Sequence, residues 1–401
     1  MLEQLADSKT WDKYLSYKTS VCLSDKAEKQ LRQFISDKTY SPIVDNILSG
    51  GDFPLPHKAV ISKASTQKKR TLYIYPKAES TVLKLLTYLL LRKYDHIFSP
   101  GLYSFRPGRN AKTAFTCLSS KKDINKMYSY KVDVSNYFNS INVKGMKDML
   151  EETIDDRELL DFLLKLLLNP NVVFENKIIQ EDKGIMAGTP LASFYANLYL
   201  KDLDYSFTDR GIIYARYSDD IIVFAETEEK IREYADEIKE FLNSRSLCVN
   251  PSKEEYTKPG QRWVFLGYSY QDGKIDISQV SLKKLKAKMR RKSRALVRWS
   301  NRKGIDRQQA AKAFIRIFNS KLFEYSEDNE LSWCHWFFPV INTDESLHEL
   351  DRYAQDCIRY IATGRRTKKR FDFRYEEMKK LGYRSTLNYY YSFREKDGTK
   401  V

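Results

Sequence analysis

Asp219 and Asp220 stand side by side in the stretch from Ile212 to Glu226, IIYARYSDDIIVFAE, with strongly β-forming runs on both sides. Adjacent carboxylates repel, and burying either is costly unless it is paired or binds metal. A hairpin tip bearing them can aim an acid at a divalent cation, whose charge offsets the repulsion. Two-metal phosphoryl transfer needs such acids from separate strands of one sheet. Mg²⁺ suits it, because that ion takes oxygen ligands and shares them with substrate phosphates. The partner acid is expected at the end of another strand. Asp133 in YKVDVSNYF fits: a short β run, one acid, then a reversal of the chain. Its neighbour Val134 offers a backbone carbonyl to one ion. Taken alone, the Asp219–Asp220 pair reads better as a polar hairpin turn, where Asp is common.

The elements around these acids mix helices and strands. Short helices fill an N-terminal extension, residues 1–55, which closes on the turn cluster SGGDFPLPHK. KAVISKASTQKKRTLYIYPK reads as two β runs about a basic connection, and residues 80–97 as a helix with a Ser start. Residues 144–168 read as helical and 172–182 as a small hairpin. GTPLASFYANLYLKDLDYSF is a loop entering a helix, and a long helix spans Glu228 to Ser244. Short strands follow to about residue 280, and the remainder is mostly helical. This mixture argues an α+β fold rather than a doubly wound sheet.

The chain has 401 residues, enough for two or three units each with a core. Hydrophobic content of 42% with 30% charged residues reads as soluble and globular, with no apolar run long enough for a membrane span and no signal peptide expected. The five cysteines are scattered without a Cys-x-x-Cys, so reduced thiols are expected and a zinc site is not. A formal net charge of +16 points to a polyanion partner, most often nucleic acid. Eleven Lys/Arg and no acid lie between Ser281 and Gly304. Leu282, Leu285, Met289, Leu296 and Trp299 recur there at helical spacing, so one face can pack while Lys283, Lys284, Arg290, Arg291 and Arg294 meet phosphate. A plain solvated helix is the alternative.

Several segments together resemble the reverse transcriptases. YSDD resembles their Tyr-x-Asp-Asp box, and KVDVSNYFNSI their first catalytic box. SFRPGRNAKTAF resembles a segment of group II intron-type enzymes. GIMAGTPLASFYANLYLKDLD, VNPSKEEY and FLGYSY resemble later boxes, in the family's order over about residues 55–270. The C-terminal region resembles compact bacterial members, closest to the class 2 defence-associated group. The resemblance implies a right-hand polymerase of fingers, palm and thumb. Fingers would take 56–130, a small antiparallel palm sheet 131–275 with a fingers insertion near 144–182, and a helical basic thumb 276–401. It implies RNA-directed DNA synthesis with two Mg²⁺ ions, dNTPs, an RNA template and a cDNA product. A structured non-coding template RNA, bacterial antiphage defence and a cytoplasmic location follow from the same analogy.

By position, the resemblance makes Asp133, Asp219 and Asp220 the metal carboxylates. Phe138 falls at the steric gate that rejects a ribose 2′-hydroxyl, with an ordinary buried Phe as the alternative. Lys63 and Arg70 match residues that grip the triphosphate, against a solvated turn. Gly188 belongs to the nucleotide-binding set, and Lys253 matches a lysine serving pyrophosphate, against a surface lysine. Arg106 and Arg109 are assigned to template backbone, with structural ion pairs as the alternative, and Arg365 and Arg366 to nucleic acid. The sequence departs from the family pattern at Met186–Ala187, where Pro-Gln is usual, and at Ala192–Ser193, where Ser-Pro is frequent. The end YRSTLNYYYSF admits base stacking or a priming hydroxyl, against core packing. Two rival functions stay open: protein-primed or untemplated DNA synthesis by the same site, and a non-catalytic RNA-binding or maturase-like helper.

Overall fold

β-Branched and aromatic residues build the strands, as their fit to a pleated, half-buried surface requires. In chain order these are β1 (His57–Ser62), β2 (Lys69–Ile74), β3 (Tyr128–Asp133), β4 (Asn171–Phe174), β5 (Lys177–Gln180) and β6 (Tyr214–Tyr217). They continue as β7 (Asp220–Ala225), β8 (Glu255–Thr257), β9 (Trp263–Phe265), β10 (Tyr268–Gln271) and β11 (Lys274–Ile277). The computed structural model describes residues 1–21, 24–62, 69–182, 184–324 and 332–396. The fold is α+β. The chain divides into one unit of Met1–Ser20 with Ala27–Gln261 and another of Val21–Lys26 with Arg262–Val401.

Two sheets form in the first unit among the described residues. One runs β2-β1-β4-β5, antiparallel except where β1 meets β4. The other runs β6-β7-β3-β8, antiparallel throughout. In β7, Ile221, Ile222 and Val223 are fully buried, as a central strand covered on both faces must be. The helix Glu228–Ser244 packs against β7 and β3. Thr227 caps it by accepting from the Lys230 N–H, and Glu228 and Glu229 sit in the first turn, where the helix dipole favours acid. Its Ile231, Ala235, Ile238 and Leu242 are buried at helical spacing. Each buried Ile or Leu contributes about 1.5–3 kcal/mol, so this face fixes the helix behind the acid-bearing strands.

Two expected helices differ. The helix expected over 80–97 runs Lys77–Lys93, because Pro76 fixes extended backbone just before it, and Asp95–Ile97 tightens into a 3-10 turn. The segment 144–168 divides into Val143–Thr153 and Arg157–Leu167, where Asp156 caps the second helix by accepting from the Leu159 N–H at 3.1 Å.

In the second unit, β11-β10-β9 form an antiparallel sheet. The helix Gln279–Lys303 buries Leu282, Leu285, Met289 and Leu296, while Trp299 is only partly covered. Lys283, Lys284, Arg290, Arg291 and Arg294 are exposed on its other side. The helix Glu345–Thr363 packs against it. Buried Asp351 on that helix accepts from the Tyr383, Ser385 and Thr386 hydroxyls and the Thr386 and Leu387 N–H groups, which anchors the terminal helix Thr386–Lys396. Tyr390 is buried with its hydroxyl on Ile341 O, and the Tyr391 hydroxyl donates to Asp344. Among the described residues, no helix is long and apolar enough to cross a membrane. Cys117, Cys248, Cys334 and Cys357 carry no disulfide, and Cys22 lies outside the described residues.

Candidate active site

The register of the second sheet gathers the acids. β3 and β7 pair antiparallel with Asp133 opposite Asp220, and β6 pairs β7 with Tyr217 opposite Asp220. Ser218 and Asp219 are therefore the two residues of a tight hairpin turn. Ser218 takes φ +60° at the first turn position, the left-handed conformation that two-residue hairpins demand. The Val134 N–H donates to Asp219 O at 2.9 Å and joins the end of β3 to the tip.

A buried polar network holds that tip. The Ser218 N–H donates to Ser104 Oγ at 2.9 Å, and Ser104 Oγ donates to Asn197 Oδ1 at 3.0 Å. Asn197 Nδ2 returns a bond to Ser104 O at 2.9 Å. Arg216 Nη1 donates to Ser218 O at 3.2 Å. Its guanidinium forks onto Asp204, with Nε–Oδ1 at 2.7 Å and Nη2–Oδ2 at 2.6 Å, and both side chains are fully buried. Burial works against the Arg216 charge, and Asp204 outweighs it and holds the guanidinium protonated. The Tyr214 hydroxyl donates to Asp204 at 2.9 Å.

Asp133 is buried and held from the other side by VNPSK. The Asn250 N–H donates to Asp133 O at 2.8 Å, and its Nδ2 reaches Asp133 Oδ1 at 3.3 Å. Asn250 Oδ1 accepts from the Ser252 N–H and so caps the 3-10 turn Pro251–Lys253. That turn brings the Lys253 ammonium onto Asp133 Oδ2 as an ion pair. Burial opposes the Lys253 charge, but Asp133, Asp220 and Asp219 together keep it above the usual range. Burial, then Asp219 and Asp133, pushes the Asp220 carboxyl up to about 6. Burial and then Asp133 raise Asp219. The site therefore holds more negative charge than it neutralises itself, the condition a divalent cation relieves. Among the described residues, no group of three or more His, Cys, Asp or Glu forms a ready metal cage. An ion that completes its shell with substrate phosphates needs only one or two protein carboxylates.

The short helix Tyr137–Ser140 carries Phe138, and a loop beside it carries Gly188. Phe138 is half-buried, and its carbonyl accepts from the Ile185 N–H at 2.9 Å. Gly184, at φ +47°, lies so close that a Cβ would stand 2.3 Å from Phe138 O. The loop reaches β2 where the Tyr73 N–H donates to Ala187 O at 2.8 Å, and Gly188 follows at φ +101°. The backbone thus holds the helix bearing Phe138 against the loop bearing Gly188. Arg70 is exposed on β2, and Lys63 lies outside the described residues.

Arg106 needs correction. It is buried, with Nε on Asp95 Oδ1 at 2.7 Å and Nη1 on Ser99 O and Leu102 O. Its five-donor fork is spent on the fold, so it cannot grip template backbone. Arg109 is half-exposed, with Nη1 on Pro100 O at 2.6 Å and its guanidinium 5.4 Å from the Tyr103 ring. The SFRPG stretch serves the site through Ser104 instead. Arg216, Asp204, Ser104 and Asn197 were not read from the sequence as site residues. One signal was present: an arginine inside the otherwise β-forming run IIYARY must bury or pair its charge. In the second unit, exposed Arg365 and Arg366 follow the helix Glu345–Thr363.

The chain is 22% identical over 244 residues to the retron Ec86 reverse transcriptase of Escherichia coli, covering 59% of this chain and 70% of that protein. It is 24% identical over 149 residues to an uncharacterized 91 kDa protein in cob intron of Schizosaccharomyces pombe, covering 37% of this chain and 18% of that one. Apo telomerase from Candida tropicalis, truncated from its C-terminal domain, superposes with a TM-score of 0.46 at 12% identity, over 56% of this chain and 55% of that structure. Residues 61–270, just over half of the 401, match the family model of the reverse transcriptase (RNA-dependent DNA polymerase), and the chain belongs to that family.

Proposed function

We propose that the chain copies a bound RNA into DNA by nucleotidyl transfer at Asp133, Asp219 and Asp220. One observation carries this reading: Asp133 lies opposite Asp220 across two paired strands, with the Asp219 tip bonded to Val134. Two Mg²⁺ ions held by these carboxylates and the Val134 carbonyl would activate a 3′-hydroxyl and neutralise the leaving pyrophosphate. Lys253 brings a compact charge beside the acids and is suited to the triphosphate or the departing pyrophosphate. Phe138 offers a flat wall against a 2′-hydroxyl, Gly188 lets backbone approach the nucleotide, and Arg70 with Lys63 meets the phosphates. In right-hand terms the β6-β7-β3-β8 sheet is the palm, with fingers over 56–130 and the basic helices from 276 as thumb.

The template fits a structured non-coding RNA held by Arg109, Lys283, Lys284, Arg290, Arg291, Arg294, Arg365 and Arg366; the +16 charge supports a polyanion partner. A role in bacterial antiphage defence, in the cytoplasm, rests on the sequence resemblance alone. Replacing Asp219 and Asp220 together by Ala abolishes cDNA synthesis on a primed RNA template while RNA binding persists; retained synthesis refutes the assignment. Sequencing of co-purified RNA returns one dominant species, and a random mixture counts against a dedicated template. In the tyrosine-rich end, buried Tyr390 and the Tyr383 hydroxyl on Asp351 support core packing at those two positions.

A further inference from the structure

The second unit contains a cavity of about 270 Å³ whose walls converge four guanidiniums. Arg290 and Arg294 come from successive turns of the helix Gln279–Lys303, on one face at i,i+4. Their guanidiniums have no ion-pair partner among the described residues. Arg366 and Arg370 come from the segment that follows the helix Glu345–Thr363. The helix Glu345–Thr363 ends at Gly364, in the left-handed conformation at φ +66°, with its N–H on Tyr360 O. The chain then turns back and lays Arg366 5.1 Å from the Tyr360 ring. Arg370 Nη1 bonds Arg366 O at 2.8 Å and fixes the returning segment.

The charge balance is lopsided. One carboxylate faces the four arginines, Asp356, and it is shared at 3.6 Å with Arg359 and with Arg370. Cys357 adds no negative charge, since burial pushes its thiol up to about 12. Tyr353 and Tyr360 supply aromatic walls. Gathering like charges costs free energy, and arginine cannot shed its proton to escape that cost. A single phosphodiester brings one negative charge, too little to balance the cavity. A terminal phosphate brings about two, and a polyphosphate more. The size lies at the low end for ligand pockets, which suits one end-nucleotide and excludes a duplex. Guanidinium forks match phosphate oxygens bidentately, and a base can stack on a Tyr ring.

We propose that this cavity binds a nucleoside 5′-polyphosphate, presented as the 5′ end of a single-stranded RNA. The proposal rests on the reading of the chain as an RNA-binding polymerase and adds a second recognition site that reads the end of the RNA. The test uses the full chain carrying Asp219→Ala and Asp220→Ala, in EDTA, so that nucleotide binding by metal at the polymerase centre does not contribute. One labelled RNA sequence is offered with a 5′-triphosphate, a 5′-monophosphate or a 5′-hydroxyl. The triphosphate form binds about tenfold or more tighter than the hydroxyl form, with the monophosphate between them. That order is lost in Arg290→Ala/Arg294→Ala and in the milder Arg366→Gln/Arg370→Gln, each checked for folding by its melting curve. Equal affinity for the three ends, or a preference that survives both variants, overturns the proposal. ATP as competitor separates the sources: weak competition assigns the site to the RNA end, and competition matching the triphosphate RNA assigns it to a free nucleotide. Loss of cDNA synthesis in the Asp variant is scored separately, so the polymerase reading and this one fail independently.

Discussion

Asp220 is held out of the ordinary carboxylate range. Burial and two neighbouring acids hold its carboxyl near 6, about two units above an ordinary aspartate. A carboxyl raised in the folded state stabilises the fold below its unfolded pKa, and that contribution is lost as pH rises through the folded value. Without divalent cation, Asp220 therefore works against folding above pH 6. Asp220→Asn stabilises the protein at pH 7.5 by about 2–3 kcal/mol, and the gain shrinks as pH falls from 6 towards 4. Thermal melts across that range, with and without Mg²⁺, check it; Mg²⁺ narrows the difference at pH 7.5. A gain that grows on acidification would contradict the charge crowding described. In the sequence the same residue was legible as half of a hairpin-tip acid pair, with Asp133 expected as the partner acid and the family resemblance making all three metal carboxylates. What the sequence did not report is how the charges meet, with Lys253 paired to Asp133 and the Asp220 carboxyl raised by burial and its neighbours, since no local pattern carries such distances.

At the scale of elements, the hairpin tip depends on a polar scaffold drawn from four segments. Ser104 is its thinnest member: one hydroxyl accepts from the Ser218 N–H and donates to Asn197. Ser104→Ala leaves both partners buried and short of a bond, a loss of about 1–3 kcal/mol. The expected kinetic signature is a lower kcat with little change in the KM for dNTP, because the tip that carries Asp219 shifts while the nucleotide contacts stay. A raised KM with kcat intact would instead place Ser104 in nucleotide binding. The strands themselves were legible, since alternation and β-branched runs mark their ends. The scaffold was not. Its bonds join residues 93 and 114 positions apart, and Arg106 and Arg216 look alike in sequence until burial shows what each one holds.

For the whole molecule, the acid-bearing unit ends at Gln261, and the chain from Arg262 belongs to the other unit. β9 to β11, legible in the sequence as short strands, bond to the segments that follow them. The Tyr268 hydroxyl donates to Trp336 O, the Asn342 N–H to Ile275 O at 3.0 Å, and Ser346 Oγ to Asp276 at 2.8 Å. The surface charge was plain from composition. The logarithm of the RNA-binding constant falls linearly with the logarithm of salt concentration, with a slope set by the number of phosphates neutralised. Replacing Lys283, Lys284 and Arg291 by Gln lowers that slope by about 2–3 for duplex RNA–DNA, weakens binding evenly across sequences, and leaves the KM for dNTP unchanged. Titrations at several salt concentrations measure it, and an unchanged slope removes these residues from the phosphate-binding face.

Gly184 sets a limit on how this polymerase can diverge. Even a methyl group there would collide with the main chain of Phe138 and Asn139, so the two backbones have to drift in step or not at all. Change in this corner is thereby left to side chains rather than to the main chain. Met186 and Ala187, where this sequence leaves its family's habit, are buried two and three residues further on, with the Ala187 carbonyl tied to Tyr73 of β2.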